Sequence, residues 1–186
     1  VLSYLDWGTI AANPKPVVGY SDLTCVLNAI VARTGRTAVL WNAMAGLHRG
    51  FGVLDAALAG ETIRPALAGA DGDADAFEAL PWLGGNLRCF LKLAGTRYWP
   101  DLAGSVLLVE SLGASLKALA AGLAHHAHLG TFGKVAGIAV GQLTAVDEAG
   151  QREAALALVG EYAGRIPVIE APGLGHSADS QAATLG

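Results

Sequence analysis

The amino-acid sequence predicts a mixed α/β fold whose strands pair largely in parallel, and three observations support this class. Apolar runs of strand length alternate with segments in which apolar residues recur at helical spacing. Of the 186 residues, 53% are hydrophobic and only 15% are charged, so the chain can bury a sizeable core. Aromatic residues are few, and alanine and glycine carry much of the apolar content, which suits helices packed closely on a sheet.

The first predicted unit is a short buried strand at 16–20 that turns into a helix. In this helix Leu23, Leu27 and Ile30 lie on one apolar face, and Gly35 supplies a C-terminal stop. Further strands are predicted at 37–41, 105–109, 135–143 and 166–169. The other helices are predicted at 51–59, 87–94, 114–128 and 151–163.

Residues 66–76 are small and acidic, and they offer little surface to bury. This composition predicts a surface loop or linker. Asp71, Asp73 and Asp75 alternate like part of a calcium-binding loop, but no glutamate follows at the required end. A solvated linker is therefore favoured over a metal site.

Composition excludes several classes of function. The net charge of -4, with no basic run, argues against a nucleic-acid surface. No apolar stretch suits a membrane span, because 118–133 contains three histidines and 135–146 is too short. Cys25 and Cys89 are isolated thiols without metal-ligand spacing, so we expect a reducing, cytoplasmic compartment and no metal site.

Ser21 is the first candidate for chemistry, because it stands where the first strand turns into the first long helix. A serine at such a corner projects its hydroxyl outward near the positive end of the helix, where an oxyanion is stabilised. Gly19 allows a close backbone approach at the turn. Leu23 stands where the G-x-S-x-G nucleophile elbow has its second glycine. Helix capping remains the alternative role, since most serines after a strand are caps.

Glu110 and His176 are the second and third candidates, because each lies just past a predicted strand. Sites in α/β proteins gather at the carboxyl ends of strands. Taken singly, Glu110 also fits a solvent-facing strand end, and His176 fits a polar residue of a glycine-rich loop. Together with Ser21 they supply a nucleophile, a base that takes its proton and an acid that orients the base. The joint pattern is therefore a stronger indication of a catalytic triad than any one member.

Other polar residues are weaker candidates. His125 and His128 share a helix face next to His126, but no carboxylate at metal spacing accompanies them, and placement near a helix C-terminus explains them adequately. Arg64 could bind a substrate carboxylate, although a lone arginine before a turn is usually solvated. The sequence assigns no other substrate-binding residue.

Several sequence blocks resemble one known family. The segment PKPVVGYSDLT at 14–24 is similar to the nucleophile motif of the LD-carboxypeptidases, or muramoyltetrapeptide carboxypeptidases, a family that includes the microcin C self-immunity peptidases. LGGNL at 83–87 resembles the opening of the family's C-terminal domain. GSVLLVE at 104–110 resembles the strand that ends in the catalytic glutamate, and 166–176 resembles the segment that ends in the catalytic histidine. The resemblance spans nearly the whole chain.

The resemblance implies a serine peptidase with Ser21 as nucleophile, His176 as general base and Glu110 orienting the histidine. The backbone N–H of Asp22 would donate to the oxyanion. The family hydrolyses the amide between an L-configured centre and a terminal D-alanine in cytoplasmic murein tetrapeptides, which serves cell-wall recycling. It needs no metal or cofactor, and its members are typically homodimers. No nucleic-acid or membrane partner is implied.

The resemblance also implies a domain organisation. Residues 1–65 would be the remainder of a Rossmann-like or flavodoxin-like N-terminal domain that carries the nucleophile elbow. Residues 66–82 would form a linker, and 83–186 a C-terminal α/β domain with the glutamate and the histidine. The chain has no initiator methionine, and its first seven residues look like the end of a helix entered midway. We therefore expect upstream sequence.

Three departures from the family pattern concern activity and substrate. The family's upstream half-domain, with a glycine-rich loop that gives the other oxyanion donor, has no counterpart here. Trp41 and Asn42 replace the usual His-Gly after the second strand. Ser111 stands where a second acid is common, and Leu116 and Lys117 stand in place of a later Asp-Arg pair. Two alternatives stay open: an amidase of microcin C-like peptide adducts, and a catalytically silent fragment that acts as a binding or interaction module.

Overall fold

The computed structural model describes residues 1–69 and 74–186, which form two sheets covered by helices. The helices are α1 (Trp7–Ala12), α2 (Thr24–Thr34), α3 (Ala43–Gly46), α4 (Gly52–Ala59), α5 (Ala74–Ala79), α6 (Leu87–Leu91), α7 (Leu116–His128), α8 (Thr144–Glu148) and α9 (Arg152–Ala163). The strands are β1 (Val18–Gly19), β2 (Ala38–Leu40), β3 (Trp82–Asn86), β4 (Val106–Ser111), β5 (Gly137–Leu143), β6 (Val168–Glu170) and β7 (Ala183–Leu185). Short 3-10 turns occur at Leu2–Tyr4, Ser21–Leu23, Leu47–Arg49 and Thr131–Gly133.

The larger sheet has four strands in the order β3-β4-β5-β6, and all neighbours are parallel. Its central strand β4 is buried along its whole length, as expected for a parallel sheet covered on both faces. Helices α7 and α9 pack against each other, and their apolar residues join the core that covers one face. Glu110 lies in β4 beside Asn86 of β3, at the carboxyl edge of the sheet.

The smaller sheet has the order β1-β2-β7, with β1 parallel and β7 antiparallel to β2. Strand β7 therefore joins the sheet that carries the Ser21 corner, although it comes from the opposite end of the sequence. The sequence patterns did not predict β7 or β3. The boundaries 1–65, 66–82 and 83–186 stay a prediction.

Buried hydrogen bonds join α2, the helix that follows Ser21, directly to β3. The Asn28 side chain donates to the Gly84 carbonyl oxygen (2.8 Å) and accepts from the Gly84 N–H (2.9 Å). Gly84 has a φ of 112°, and a Cβ there would lie 2.4 Å from the Leu108 carbonyl oxygen, so glycine is required. These contacts fix the helix of the smaller sheet against the sheet that carries Glu110.

The α/β class is confirmed, and most predicted elements are present with shifted ends. Gly35 and Gly60 end α2 and α4 in the left-handed conformation, with φ of 64° and 75°. The helix predicted at 87–94 is shorter and ends at Leu91, followed by turns. The chain starts with a 3-10 turn at Leu2–Tyr4, and the Asp6 side chain then accepts a hydrogen bond from the Thr9 N–H and begins α1; the expectation that the first residues are the end of a helix stays a prediction.

The predicted linker contains regular structure in its described part. Ala68 forms an isolated antiparallel bridge with Glu170, and Asp75 lies in α5. Asp71 and Asp73, the other two members of the calcium-like alternation, lie outside the described residues. Over 1–69 and 74–186 no group of three or more His, Cys, Asp and Glu side chains is placed to hold a metal ion. In the same described ranges, no helix has the length and apolar character needed to cross a membrane.

Candidate active site

The Ser21 corner has the backbone strain that a nucleophile elbow requires. Among the described residues, Ser21 is the one non-glycine residue with positive φ, at 55°. This left-handed conformation costs an L-residue about 1–2 kcal/mol. Such strain is concentrated at functional sites, where the surrounding structure holds it in place. A Cβ at Gly19 would lie 2.7 Å from Leu23 Cδ1 and 2.9 Å from Leu23 Cβ, so a larger residue at 19 would require the Leu23 side chain to move.

Ser21 opens a 3-10 turn that leads directly into α2, so its side chain stands at the N-terminal end of the helix. The exposed Asp22 carboxylate accepts a hydrogen bond from the Cys89 thiol (3.0 Å) and lies 3.7 Å from Lys92 Nζ. The Cys89 hydrogen bond, followed by the Lys92 charge, lowers the pKa of Asp22. The assignment of the Asp22 N–H as oxyanion donor stays a prediction.

Glu110 and His176 form a direct buried pair. His176 Nδ1 lies 2.9 Å from Glu110 Oε2, and the exposed fractions of the two side chains are 9% and 2%. The hydrogen bond to Glu110 raises the pKa of His176, and burial opposes this shift. Nε2 of His176 is buried and, unlike Nδ1, has neither an ion-pair nor a hydrogen-bond partner within the described residues. Because Glu110 occupies Nδ1, Nε2 is the nitrogen left to exchange a proton with a reacting group.

Gln142 holds the loop that carries His176. Its Oε1 accepts from the Ser177 N–H (3.0 Å), and its Nε2 donates to Ser177 Oγ (2.7 Å) and to the Pro172 carbonyl oxygen (3.1 Å). A Cβ at Gly141 would lie 2.7 Å from the Leu174 carbonyl oxygen and 3.0 Å from Glu110 Cβ. The end of β5 is therefore shaped to bring this loop against Glu110.

The structure brings the three predicted residues to one region. The ring of Tyr20, which precedes Ser21, contacts the His176 ring edge-on with centroids 5.4 Å apart. Ser21 lines a cavity of about 720 Å³, and His176 lines an adjacent cavity of about 270 Å³. Leu112 lines both cavities, so it stands between them. The roles of Ser21, Glu110 and His176 stay predictions.

The weaker candidates have other surroundings. His126 is fully buried among aromatic rings, its Nδ1 lies 3.1 Å from Thr131 Oγ1, and burial lowers its pKa to about 4. His125 lines the Ser21 cavity. Arg64 is neither a solvated side chain nor a carboxylate ligand here, because it donates to the backbone carbonyl oxygens of Ile63, Glu78, Leu80 and Thr184.

Sequence reasoning missed Gln142 and Tyr20. Gln142 could have been found, because it is a polar residue near the end of the otherwise apolar strand β5. Tyr20 gave no signal, because an aromatic residue at a strand end is usually part of the core.

Comparison with known proteins identifies the family. The C-terminal domain of LD-carboxypeptidases matches residues 81–186, and their N-terminal domain matches residues 1–40. The chain belongs to the LD-carboxypeptidase family. This confirms the resemblance read from the motifs around Ser21, Glu110 and His176.

Two curated relatives share parts of this family member's sequence. A Treponema pallidum (strain Nichols) protein, provisionally named a carboxypeptidase, is 30% identical over 138 residues, which cover 59% of this chain and 41% of that protein. The microcin C7 self-immunity protein MccF of Escherichia coli is 51% identical over 35 residues, 19% of this chain and 10% of that protein. The chain thus matches less than half the length of either relative.

Solved structures show the same fold. MccF in complex with aspartyl sulfamoyl adenosine has a TM-score of 0.75 at 19% identity, over 100% of this chain and 67% of that chain. The muramoyltetrapeptide carboxypeptidase from Oxalobacter formigenes has a TM-score of 0.76 at 22% identity, over 98% of this chain and 66% of that chain. This family member therefore has the mixed α/β fold of both proteins.

Proposed function

We propose that this LD-carboxypeptidase family member is a serine peptidase with the triad Ser21, His176 and Glu110. One observation carries the proposal: the buried Glu110–His176 pair, 2.9 Å apart, leaves Nε2 without a partner in the described part of the chain. The strained corner at Ser21, one residue after the ring that contacts His176, supports the same assignment.

In the proposed mechanism, Nε2 of neutral His176 takes the proton of Ser21 Oγ as this oxygen attacks the scissile carbonyl carbon. The carbonyl oxygen becomes an oxyanion, to which the Asp22 N–H donates. His176 then gives the proton to the leaving amine, and an acyl-enzyme remains on Ser21. Water, deprotonated by His176, then attacks the acyl carbon, the bond from that carbon to Ser21 Oγ breaks, and His176 returns the proton to Ser21 Oγ as the acid leaves. Glu110 accepts from Nδ1–H throughout and stabilises the charged imidazole.

The proposed substrate is a murein tetrapeptide, cut between an L-configured centre and its terminal D-alanine. Family membership and the named activity of the Oxalobacter formigenes protein support this choice. We place the reaction in cell-wall recycling in the cytoplasm, a reducing compartment in which Cys25 and Cys89 would stay free thiols, as they are here. We further propose a homodimer, which sedimentation of the purified protein would test.

The test measures D-alanine release from the tetrapeptide by the parent chain and by Ser21→Ala and His176→Ala. Both substitutions should abolish turnover. Ser21→Ala should preserve the melting curve, whereas His176→Ala should lower the melting temperature, because it leaves the buried Glu110 without its partner. A fluorophosphonate probe should label the parent and spare Ser21→Ala. Unchanged turnover in both variants would overturn the triad. An unlabelled, inactive parent would instead favour the silent interaction module.

A second candidate function is hydrolysis of microcin C-like peptide adducts. The segment that is 51% identical to MccF, and the aminoacyl sulfamoyl adenosine bound in an MccF structure, favour it. A panel containing the tetrapeptide and aspartyl and glutamyl sulfamoyl adenosines separates the two, because the preferred substrate will have the higher kcat/KM.

A further inference from the structure

We infer that Arg88 is a specificity-determining residue that binds a substrate carboxylate in the cavity beside Ser21. This inference rests on the proposed function and deepens it, since it names the charged group by which the substrate is recognised. Arg88 belongs to α6, which begins at the Asn86 cap directly after β3. The helix therefore presents Arg88 at the same edge of the sheet as Glu110.

The cavity has an apolar wall and a cationic side. Its volume of about 720 Å³ is enough for several residues of a peptide. Leu87, Leu91 and Ala118 supply apolar surface, whereas Arg88 and Lys92 are cationic. Such a cavity suits an aliphatic chain that ends in an anionic group.

Asp22, the one acidic side chain among the described residues of this cavity, already has partners. It accepts from the Cys89 thiol at 3.0 Å and lies 3.7 Å from Lys92 Nζ. Lys92 is thereby engaged as well. The charge of Arg88 adds weakly to the lowering of the Asp22 pKa, but Arg88 forms no hydrogen bond or ion pair within 4 Å in the described part of the chain, so its guanidinium donors are left for a ligand. A guanidinium fork matches a carboxylate with two parallel hydrogen bonds.

The cavity on the other side of Leu112 has the opposite charge. It is lined by His176, by Asp147, which is paired with Arg152 at 3.5 Å, and by Glu148, which forms no ion pair among the described residues and supplies the negative charge. Like charges disfavour a carboxylate there, so an anionic substrate is oriented with its carboxylate toward Arg88. The opposed charges thus set the direction in which a substrate lies across Ser21 and His176.

Two substrate carboxylates have this chemistry: the C-terminal carboxylate of a D-alanine peptide, and the acidic side chain of an aminoacyl adduct. Kinetics would be measured with the murein tetrapeptide, its C-terminal carboxamide and glutamyl sulfamoyl adenosine. Arg88→Ala should raise KM at least roughly tenfold for the substrate whose carboxylate is bound, with kcat within about twofold, because a charged hydrogen bond is lost. Arg88→Lys should restore part of the affinity.

Arg165→Ala is the matched control, because Arg165 is an exposed arginine that precedes β6 at the opposite edge of the sheet. It should leave all three substrates unchanged. A KM increase for the free acid but not for the carboxamide identifies the C-terminal carboxylate. An increase confined to the glutamyl adduct identifies the side-chain carboxylate. The inference would be overturned if Arg88→Ala raised KM equally for the free acid and the carboxamide and left KM for the adduct unchanged. It would also be overturned if KM changed for none of the three substrates.

Binding separates this inference from the proposed function. Calorimetric titration of Ser21→Ala with each of the three ligands needs no turnover. In that background, Arg88→Ala should weaken the binding of the free acid, relative to the carboxamide, by at least roughly fivefold, or it should weaken the binding of the glutamyl adduct by that factor. Added salt should reduce the difference in affinity between the two variants. An inactive parent that still shows this discrimination refutes the proposed peptidase and keeps the anion site. An active parent whose ligand binding does not depend on Arg88 keeps the proposed peptidase and refutes the anion site.

Discussion

Replacement of Glu110 by glutamine probes the role of the buried pair most sharply. In the parent, Glu110 Oε2 lies 2.9 Å from His176 Nδ1, and both side chains are almost fully buried. A glutamine of similar shape removes the charge and can also donate from its amide group to Nδ1. Donation to Nδ1 would place the imidazole proton on Nε2, where it blocks proton transfer from Ser21.

The size of the loss follows from the type of hydrogen bond. A hydrogen bond to a charged group contributes about 1.5–3 kcal/mol. At about 1.4 kcal/mol per factor of ten, kcat/KM should fall roughly 10- to 150-fold, and further if the wrong tautomer dominates. Glu161→Gln is the matched control, since Glu161 is an exposed carboxylate on α9, and it should leave kcat/KM unchanged.

The pH profile distinguishes a catalytic role from a structural one. Glu110 raises the pKa of His176 above its ordinary 6.5, and the neutral imidazole is the base. Activity should therefore rise with pH through this pKa, and Glu110→Gln should move the inflection of log(kcat/KM) to lower pH. The stability that the pair contributes is fully present below the unfolded pKa of about 6.5 and is lost as pH rises through the folded pKa. Denaturant titrations should accordingly show a larger deficit at pH 5.5 than at pH 8. An inflection that coincides with those of the parent and Glu161→Gln would refute the reasoning.

Two further substitutions test the framework of the site. Gly84→Ala should lower the free energy of unfolding by about 3 kcal/mol, because the new Cβ would lie 2.4 Å from the Leu108 carbonyl oxygen at a φ of 112°. Gly160→Ala, in an open position on α9, is its control in urea titrations and should be neutral or slightly stabilising; equal melting of both variants would contradict the packing argument. Gln142→Ala should lower kcat roughly tenfold with a smaller change in KM, because the His176 loop loses three hydrogen bonds. Gln142→Glu, which keeps the acceptor for the Ser177 N–H, should retain more activity in the same steady-state assay, and full activity of Gln142→Ala would exclude the positioning role.

The sequence was sufficient for the α/β class and for bringing Glu110 to a sheet edge, because β4 is a continuous apolar run. It was insufficient for β3, where Gly84 and Gly85 interrupt the strand pattern. Their use becomes clear only from the structure, in which a Cβ at either position would crowd an atom of Leu108 or Thr24. Strand β7 is too short to predict, and its pairing with β2 is a contact between distant parts of the chain.

The same limit applies to the candidate site. Ser21 and His176 stand in recognisable blocks, so their involvement could be predicted from order and spacing. The free guanidinium of Arg88 and the anchor at Gln142 depend on side-chain geometry that spacing does not encode. Tertiary contact, rather than local propensity, decides which polar residues have partners and which stay available to a ligand.

The antiparallel pairing of β2 with β7 has a consequence for biosynthesis. The sheet next to the Ser21 corner includes residues that leave the ribosome after Glu110 and His176 have already been synthesised. Because folding on the ribosome proceeds from the N-terminal side, β2 must wait with one edge unpaired while the larger sheet forms. Completion of the sheet that carries the Ser21 corner is then among the last events of folding. The Ser21 corner would be completed only in a chain that already contains Glu110 and His176.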